Sequence, residues 1–186
     1  MISEIKRAKF MQYFEVTDTN GDGKITKQDY LLTADKTIAV LKLDPASPLA
    51  QILKANYAQG WDALAVRDLD HDDAVTVDEW IEHYYLLSLD EKLLDPFVNG
   101  RAEAIFRLFD ADQDQRITKE EWTVFFSAIG HPEKNYEMGF QKLDRNQNDH
   151  LTLDEVKKAS HEFFGSDDPD AIGNWLFGDY TRHLRT

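Results

Sequence analysis

The stretch DADQDQRITKEE, Asp110–Glu121, carries Asp at its first, third and fifth places, Thr at the ninth and Glu at the twelfth. Short carboxylates at alternate places converge on one point, and a Glu at the twelfth closes the ring. The stretch is therefore built as an oxygen cage for a hard divalent cation. The pattern recurs in DTNGDGKITKQD (Asp18–Asp29), DLDHDDAVTVDE (Asp68–Glu79) and DRNQNDHLTLDE (Asp144–Glu155). One match would carry little weight, because Asp-rich turns are common. Four in register, each with Thr at the ninth place and an apolar residue at the eighth, point to cation binding rather than to solvated turns.

Calcium takes about six to eight oxygens in flexible geometry. The expected side-chain ligands are Asp18, Asn20, Asp22 and Asp29 in loop one, and Asp68, Asp70, Asp72 and Glu79 in loop two. Loop three offers Asp110, Asp112, Asp114 and Glu121, and loop four offers Asp144, Asn146, Asn148 and Glu155. The seventh place should give a backbone carbonyl, from Lys24, Ala74, Arg116 and His150. Thr26, Thr76, Thr118 and Thr152 at the ninth are expected to act through water. Ile25, Val75, Ile117 and Leu151 at the eighth suit a short antiparallel pairing, Ile25 against Val75 and Ile117 against Leu151.

The loops depart from the ideal in two ways. The sixth place asks for φ > 0, and only Gly23 is glycine there; Asp73, Gln115 and Asp149 replace it. Gln115 should bear the most strain, about 1 kcal/mol. Loop one also closes with Asp29, one methylene shorter than Glu. A monodentate closure with fewer ligands suits magnesium, so the first loop is expected to be the most magnesium-tolerant.

Each loop lies between helical patterns. Phe14, Leu64, Phe106 and Phe140 stand four residues before the loops, and Tyr30, Trp80, Trp122 and Val156 follow them. The repeated unit is helix–loop–helix. Pro45 and Pro48 break the longer stretch between loops one and two, and Pro96 with Gly100 is expected to interrupt any central helix. The division expected is 1–92 for one pair of hands and 93–186 for the other with a packed tail, AIGNWLFGDYTRHL, after a turn at SDDPD. The fold class is all-α: four hands in two pairs forming one compact body, with short β pairings between loops.

The formal charge is −14, and the four loops hold eighteen of the thirty-five Asp and Glu. Four dications, +8 in all, would bring −14 to −6, an ordinary value. Nucleic acid is not an expected partner, since its phosphates would be repelled. There is no Cys, so thiolate metal sites and disulfides are excluded. No apolar run reaches the roughly 20 residues a membrane helix needs. The start, MISEIKRAKFMQYF, has no apolar signal core and has Ile at residue 2, so neither secretion nor myristoylation is expected. A cytoplasmic monomer is the expectation. Lys6, Arg7 and Lys9 are taken as a solvated face of the first helix.

At these loops the chain resembles the EF-hand family, and more narrowly the sarcoplasmic calcium-binding proteins and the bacterial calerythrin type. The resemblance runs nearly end to end, with a first hand closing in Asp29 and a tail Phe163-Phe164-Gly165…Asn174-Trp175-Leu176-Phe177-Gly178. It implies a compact all-α body whose tail covers the core and which buffers calcium. In that family often only three hands bind, whereas loop two here retains its ligands. Coelenterate photoproteins and luciferin-binding proteins share the architecture and enclose a coelenterazine-type ligand. Trp61, Trp80, Trp122 and Trp175 with His161 would be the lining of such a cavity. Against this, the chain ends in Leu-Arg-Thr rather than Pro, and Phe164 stands where that resemblance implies Trp.

A calcium sensor exposes a groove rich in flexible Met. Only Met1, Met11 and Met138 are present, which favours a buffer over a sensor that binds a target protein. An enzyme is not expected. His161-Glu162 has no second His four residues on, and no phosphate loop or nucleophile elbow appears. His71, His83, His131, His150, His161 and His183 are scattered, and read as surface or core residues.

Overall fold

The computed structural model describes residues 1–129 and 134–185; His131 and Thr186 lie outside them. Eight α-helices are present among the described residues. They are α1 (Glu4–Thr17), α2 (Lys27–Val40), α3 (Pro48–Leu64), α4 (Val77–Leu87), α5 (Glu91–Phe109), α6 (Lys119–Ala128), α7 (Lys134–Leu143) and α8 (Leu153–Gly165). Ser3 caps α1 by accepting from the Lys6 N–H. Ser47 caps α3, whose first residue is Pro48, where a missing N–H costs nothing.

The four repeated stretches join α1 to α2, α3 to α4, α5 to α6 and α7 to α8. Loops one and two touch through a two-way bridge, Ile25 N–H to Val75 O at 3.0 Å and Val75 N–H to Ile25 O at 2.8 Å. Loops three and four pair as β1 (Arg116–Thr118) and β2 (His150–Thr152), antiparallel with Ile117 opposite Leu151. All four eighth-place side chains are fully buried. The expected register therefore holds in both pairs.

The halves meet differently from expectation. Pro96 and Gly100 lie inside the continuous helix α5, and the chain turns earlier, between Leu87 and Glu91. Pro96 removes only its own N–H bond to the carbonyl four residues back. Burial of Leu94, Val98, Ala102, Ile105, Phe106 and Phe109 along one face of α5 outweighs that loss.

Aromatic residues from both halves share one core. Phe10, Trp80, Trp122, Phe126, Phe163, Phe164 and Phe177 are almost wholly inaccessible. Tyr13 stacks on Phe177 at 4.5 Å between ring centres and meets Trp80 at 4.9 Å. Trp80 places its indole N–H on the Phe10 carbonyl at 3.1 Å, so its one donor is satisfied.

The tail returns to this core, as expected. Leu176, Phe177 and Tyr180 are buried, and Trp175 lies under the Lys142 ammonium, 4.6 Å from the ring centre. Lys9 and Lys6 belong to this contact and not to a solvated face; only Arg7 of the three is exposed. Lys9 donates to Glu162 O, Ser166 O and Asn174 Oδ1 at 3.1, 2.7 and 3.0 Å. Desolvation and the neighbouring Lys6 charge bring its ammonium down to about 7.

Candidate metal centres

The ninth and twelfth residues of each loop build the start of the following helix. Thr26, Thr76, Thr118 and Thr152 are the N-caps of α2, α4, α6 and α8, and the twelfth-place acid is the third helical residue. In each case the acid accepts from the Thr N–H and hydroxyl. Glu121 Oε2 does so at 2.9 and 2.9 Å, and Glu79 Oε2 at 2.8 and 2.7 Å. This is a capping box. It leaves the other carboxylate oxygen turned back into the loop, where the acid closes the ring. The sequence signal was the Thr-x-x-Asp/Glu spacing, which reads as a helix start as well as a ligand pair.

The first-place Asp organises each turn. Asp18 accepts from the N–H of Gly21, Asp22 and Gly23, and Asp110 from those of Asp114 and Gln115. Asp68 and Asp144 do the same in loops two and four. These bonds need two left-handed residues per loop. The sixth place has φ of 85° at Gly23, 63° at Asp73, 65° at Gln115 and 63° at Asp149. The fourth place does likewise at Gly21, His71, Gln113 and Gln147, with φ from 57° to 75°. The sequence pointed to the sixth but not to the fourth.

In loops two and three the carboxylates gather. Oxygens of Asp68, Asp70 and Glu79 lie within 4.8 Å of one another, and so do those of Asp110, Asp112 and Glu121. Desolvation pushes Asp68 up, but the Asp73 and Asp72 N–H groups outweigh it and hold the carboxyl below its ordinary value. Glu79 is held down likewise, by Thr76 and Leu69 N–H groups against desolvation. Asp70 is pushed up, by desolvation first and then by the Asp72 charge. Such a cluster is short of positive charge, and its donors are all oxygen, so the residues fit a hard dication.

Loop one differs where expected. Asp29 is fully buried and accepts from the Asn20 N–H at 3.2 Å, the third place of its loop. Glu79 and Glu121 instead accept from the second place, Leu69 and Ala111, at 2.9 and 2.8 Å. The shorter acid thus draws a different loop residue towards it. Loop four has two carboxylates at ligand places, Asp144 and Glu155, and Asn146 Nδ2 donates to Glu155 at 3.2 Å.

Asp72 makes a contact the sequence did not suggest. Lys24, from the seventh place of loop one, reaches across the paired loops to Asp72 Oδ2 at 2.6 Å. The Asp72 hydrogen bond and charge hold the Lys24 ammonium above the usual lysine value.

The aromatic set that the luciferin-binding alternative would place around a cavity does not line the one present. A cavity of about 290 Å³ lies between α1, α3 and α5, but Trp61, Trp80, Trp122, Trp175 and His161 are absent from its walls. Trp80 and Trp122 are instead packed into the core, and His161 pairs with Asp95 at 2.6 Å near the surface.

An EF hand family model matches residues 10–31 and 102–126, which contain the first and third loops with flanking helix. The chain is a calcium-binding EF-hand protein. Within that class it is similar to calerythrin of Saccharopolyspora erythraea, 24% identical over 93% of this chain and 100% of calerythrin. It is also similar to clytin of Clytia gregaria, 28% identical over 95% of this chain and 88% of clytin. The sarcoplasmic calcium-binding protein of amphioxus shares the fold, with a TM-score of 0.72 at 19% identity, covering 96% of this chain and 99% of that one. No helix among the described residues is long and apolar enough to cross a membrane.

Proposed function

We propose that this calcium-binding protein is a non-enzymatic cytoplasmic buffer, monomeric, capturing calcium at all four loops through the side chains and seventh-place carbonyls named above. The observation that carries this reading is the closed core. The apolar faces of the hands are already buried against one another and the tail by rigid aromatics such as Phe10, Trp80, Trp122 and Phe177. A sensor needs a face that opens, usually lined by Met, and here Met138 is exposed and Met11 only partly buried. The missing tryptophan lining weakens the luciferin-binding alternative.

Loop one is the magnesium-tolerant site in this reading, because its buried Asp29 is one methylene short of a bidentate clasp. Calorimetric titration should therefore show four calcium sites, one of them lost to competition in millimolar magnesium. Retention on a phenyl resin should be the same with calcium and with chelator. Calcium-dependent retention would instead identify a sensor, and four equally selective sites would remove the special role of loop one.

A further inference from the structure

Arg101 is a charged group without a counter-charge. It projects from α5 into the cavity of about 290 Å³, where Tyr13, Tyr30, Tyr57, Phe109 and Phe177 form much of the wall. Its guanidinium lies 5.1 Å from the Tyr13 ring centre and 5.7 Å from that of Phe177. Among the described residues it has neither an ion pair nor a hydrogen bond. Desolvation disfavours the guanidinium's charge. Burial also pushes the Tyr30 and Tyr57 hydroxyls up, so they stay neutral and supply no negative charge to offset it.

Arg101 is partly buried, and a guanidinium facing a largely apolar wall is ordinarily paired, because partial desolvation is costly and aromatic faces recover only part of it. The walls here are largely apolar and the volume is at the lower end for small-ligand pockets, about 300 Å³. Asn56 of α3 and Ala104 of α5 are exposed wall residues, so the cavity opens to solvent between these helices. We infer that the cavity is a binding site for a small apolar monoanion, an aryl or alkyl carboxylate, whose charged end pairs with Arg101 and whose body lies against the aromatic wall. This is independent of the buffering role, since none of the expected calcium ligands borders the cavity.

The test is a calorimetric titration of the calcium-loaded full chain with 2-naphthoate and with its neutral counterpart 2-naphthalenemethanol. Naphthoate should bind at one site at least about tenfold more tightly than the alcohol, the usual size of a charge-assisted contact. Arg101→Met should abolish that preference and Arg101→Lys should keep most of it. No binding of naphthoate, equal binding of acid and alcohol, or an unchanged preference in Arg101→Met would each overturn the inference. If Arg101→Met does not fold, the acid–alcohol comparison on the native chain and the Lys variant still decide it.

Discussion

Lys24 shows how a single side chain ties two cation sites together. It belongs to loop one, yet its ammonium rests on Asp72, the fifth-place acid of loop two, at 2.6 Å. A dication entering loop two competes with the lysine for Asp72 and must tolerate the lysine charge nearby. Replacing the lysine should ease both. Lys24→Met is expected to raise calcium affinity at loop two by about two- to five-fold, the range of an exposed ion pair. A calcium titration followed by NMR at the Ala74 amide reads that site directly, and unchanged or weaker binding would refute the competition. Backbone geometry at single residues was partly legible beforehand. The sixth place declared itself because Gly23 is the preferred residue there. The fourth place did not, since His71, Gln113 and Gln147 give no chemical hint of positive φ; the first-place Asp imposes it by collecting N–H groups from the turn.

Helices and their joints were legible where local chemistry dictates them. The eighth-place apolar residues placed the loop pairings, and Pro45 and Pro48 marked the break ahead of α3; the Thr-x-x-Asp/Glu helix starts carry an equally local signal that the ligand reading of Thr passed over. Pro96 misled because a proline signal is local, whereas the buried stripe of α5 is satisfied only by distant partners such as α8. Lys9 misled for a similar reason. A lysine in a basic run reads as solvated, and nothing near it in sequence announces the carbonyls of Glu162 and Ser166. The tail joint is correspondingly sensitive. Gly173 donates to Glu162 Oε2 at 2.8 Å, and a Cβ there would sit 2.3 Å from the Ala159 carbonyl oxygen and 2.6 Å from Glu162 Cβ. Both obstacles belong to the body of α8 and cannot rotate aside. Gly173→Ala should therefore destabilise the protein by about 1–3 kcal/mol, as overpacking does. Urea melts of the calcium-loaded forms measure it, and an unchanged midpoint would mean that the tail docks less closely than described.

The loop ends all face the same electrostatic problem, and it is a property of the entire chain. Eighteen of thirty-five acids sit in four short stretches, with a formal charge of −14. Without cations the cost is visible at Asp70, whose carboxyl is pushed up by desolvation and by Asp72. Capping boxes and turn N–H groups offset part of this repulsion, but they are neutral donors and cannot cancel a net charge. Bound calcium does both: it neutralises the acids and favours the folded state, which alone presents the cages. Each site should add about 2.7 kcal/mol of stability when free calcium is a hundredfold above its Kd. The melting temperature is therefore expected to rise steeply with calcium, and the rise should shrink in molar salt, because screening relieves the calcium-free form more than the loaded one. Differential scanning calorimetry with chelator and with calcium, at low and high sodium chloride, tests both halves. A melting temperature indifferent to calcium would show that the acids are not repelling one another in the folded protein, and the linkage between cation capture and folding would fail. A calcium effect that salt leaves untouched would place the coupling in loop geometry instead of charge.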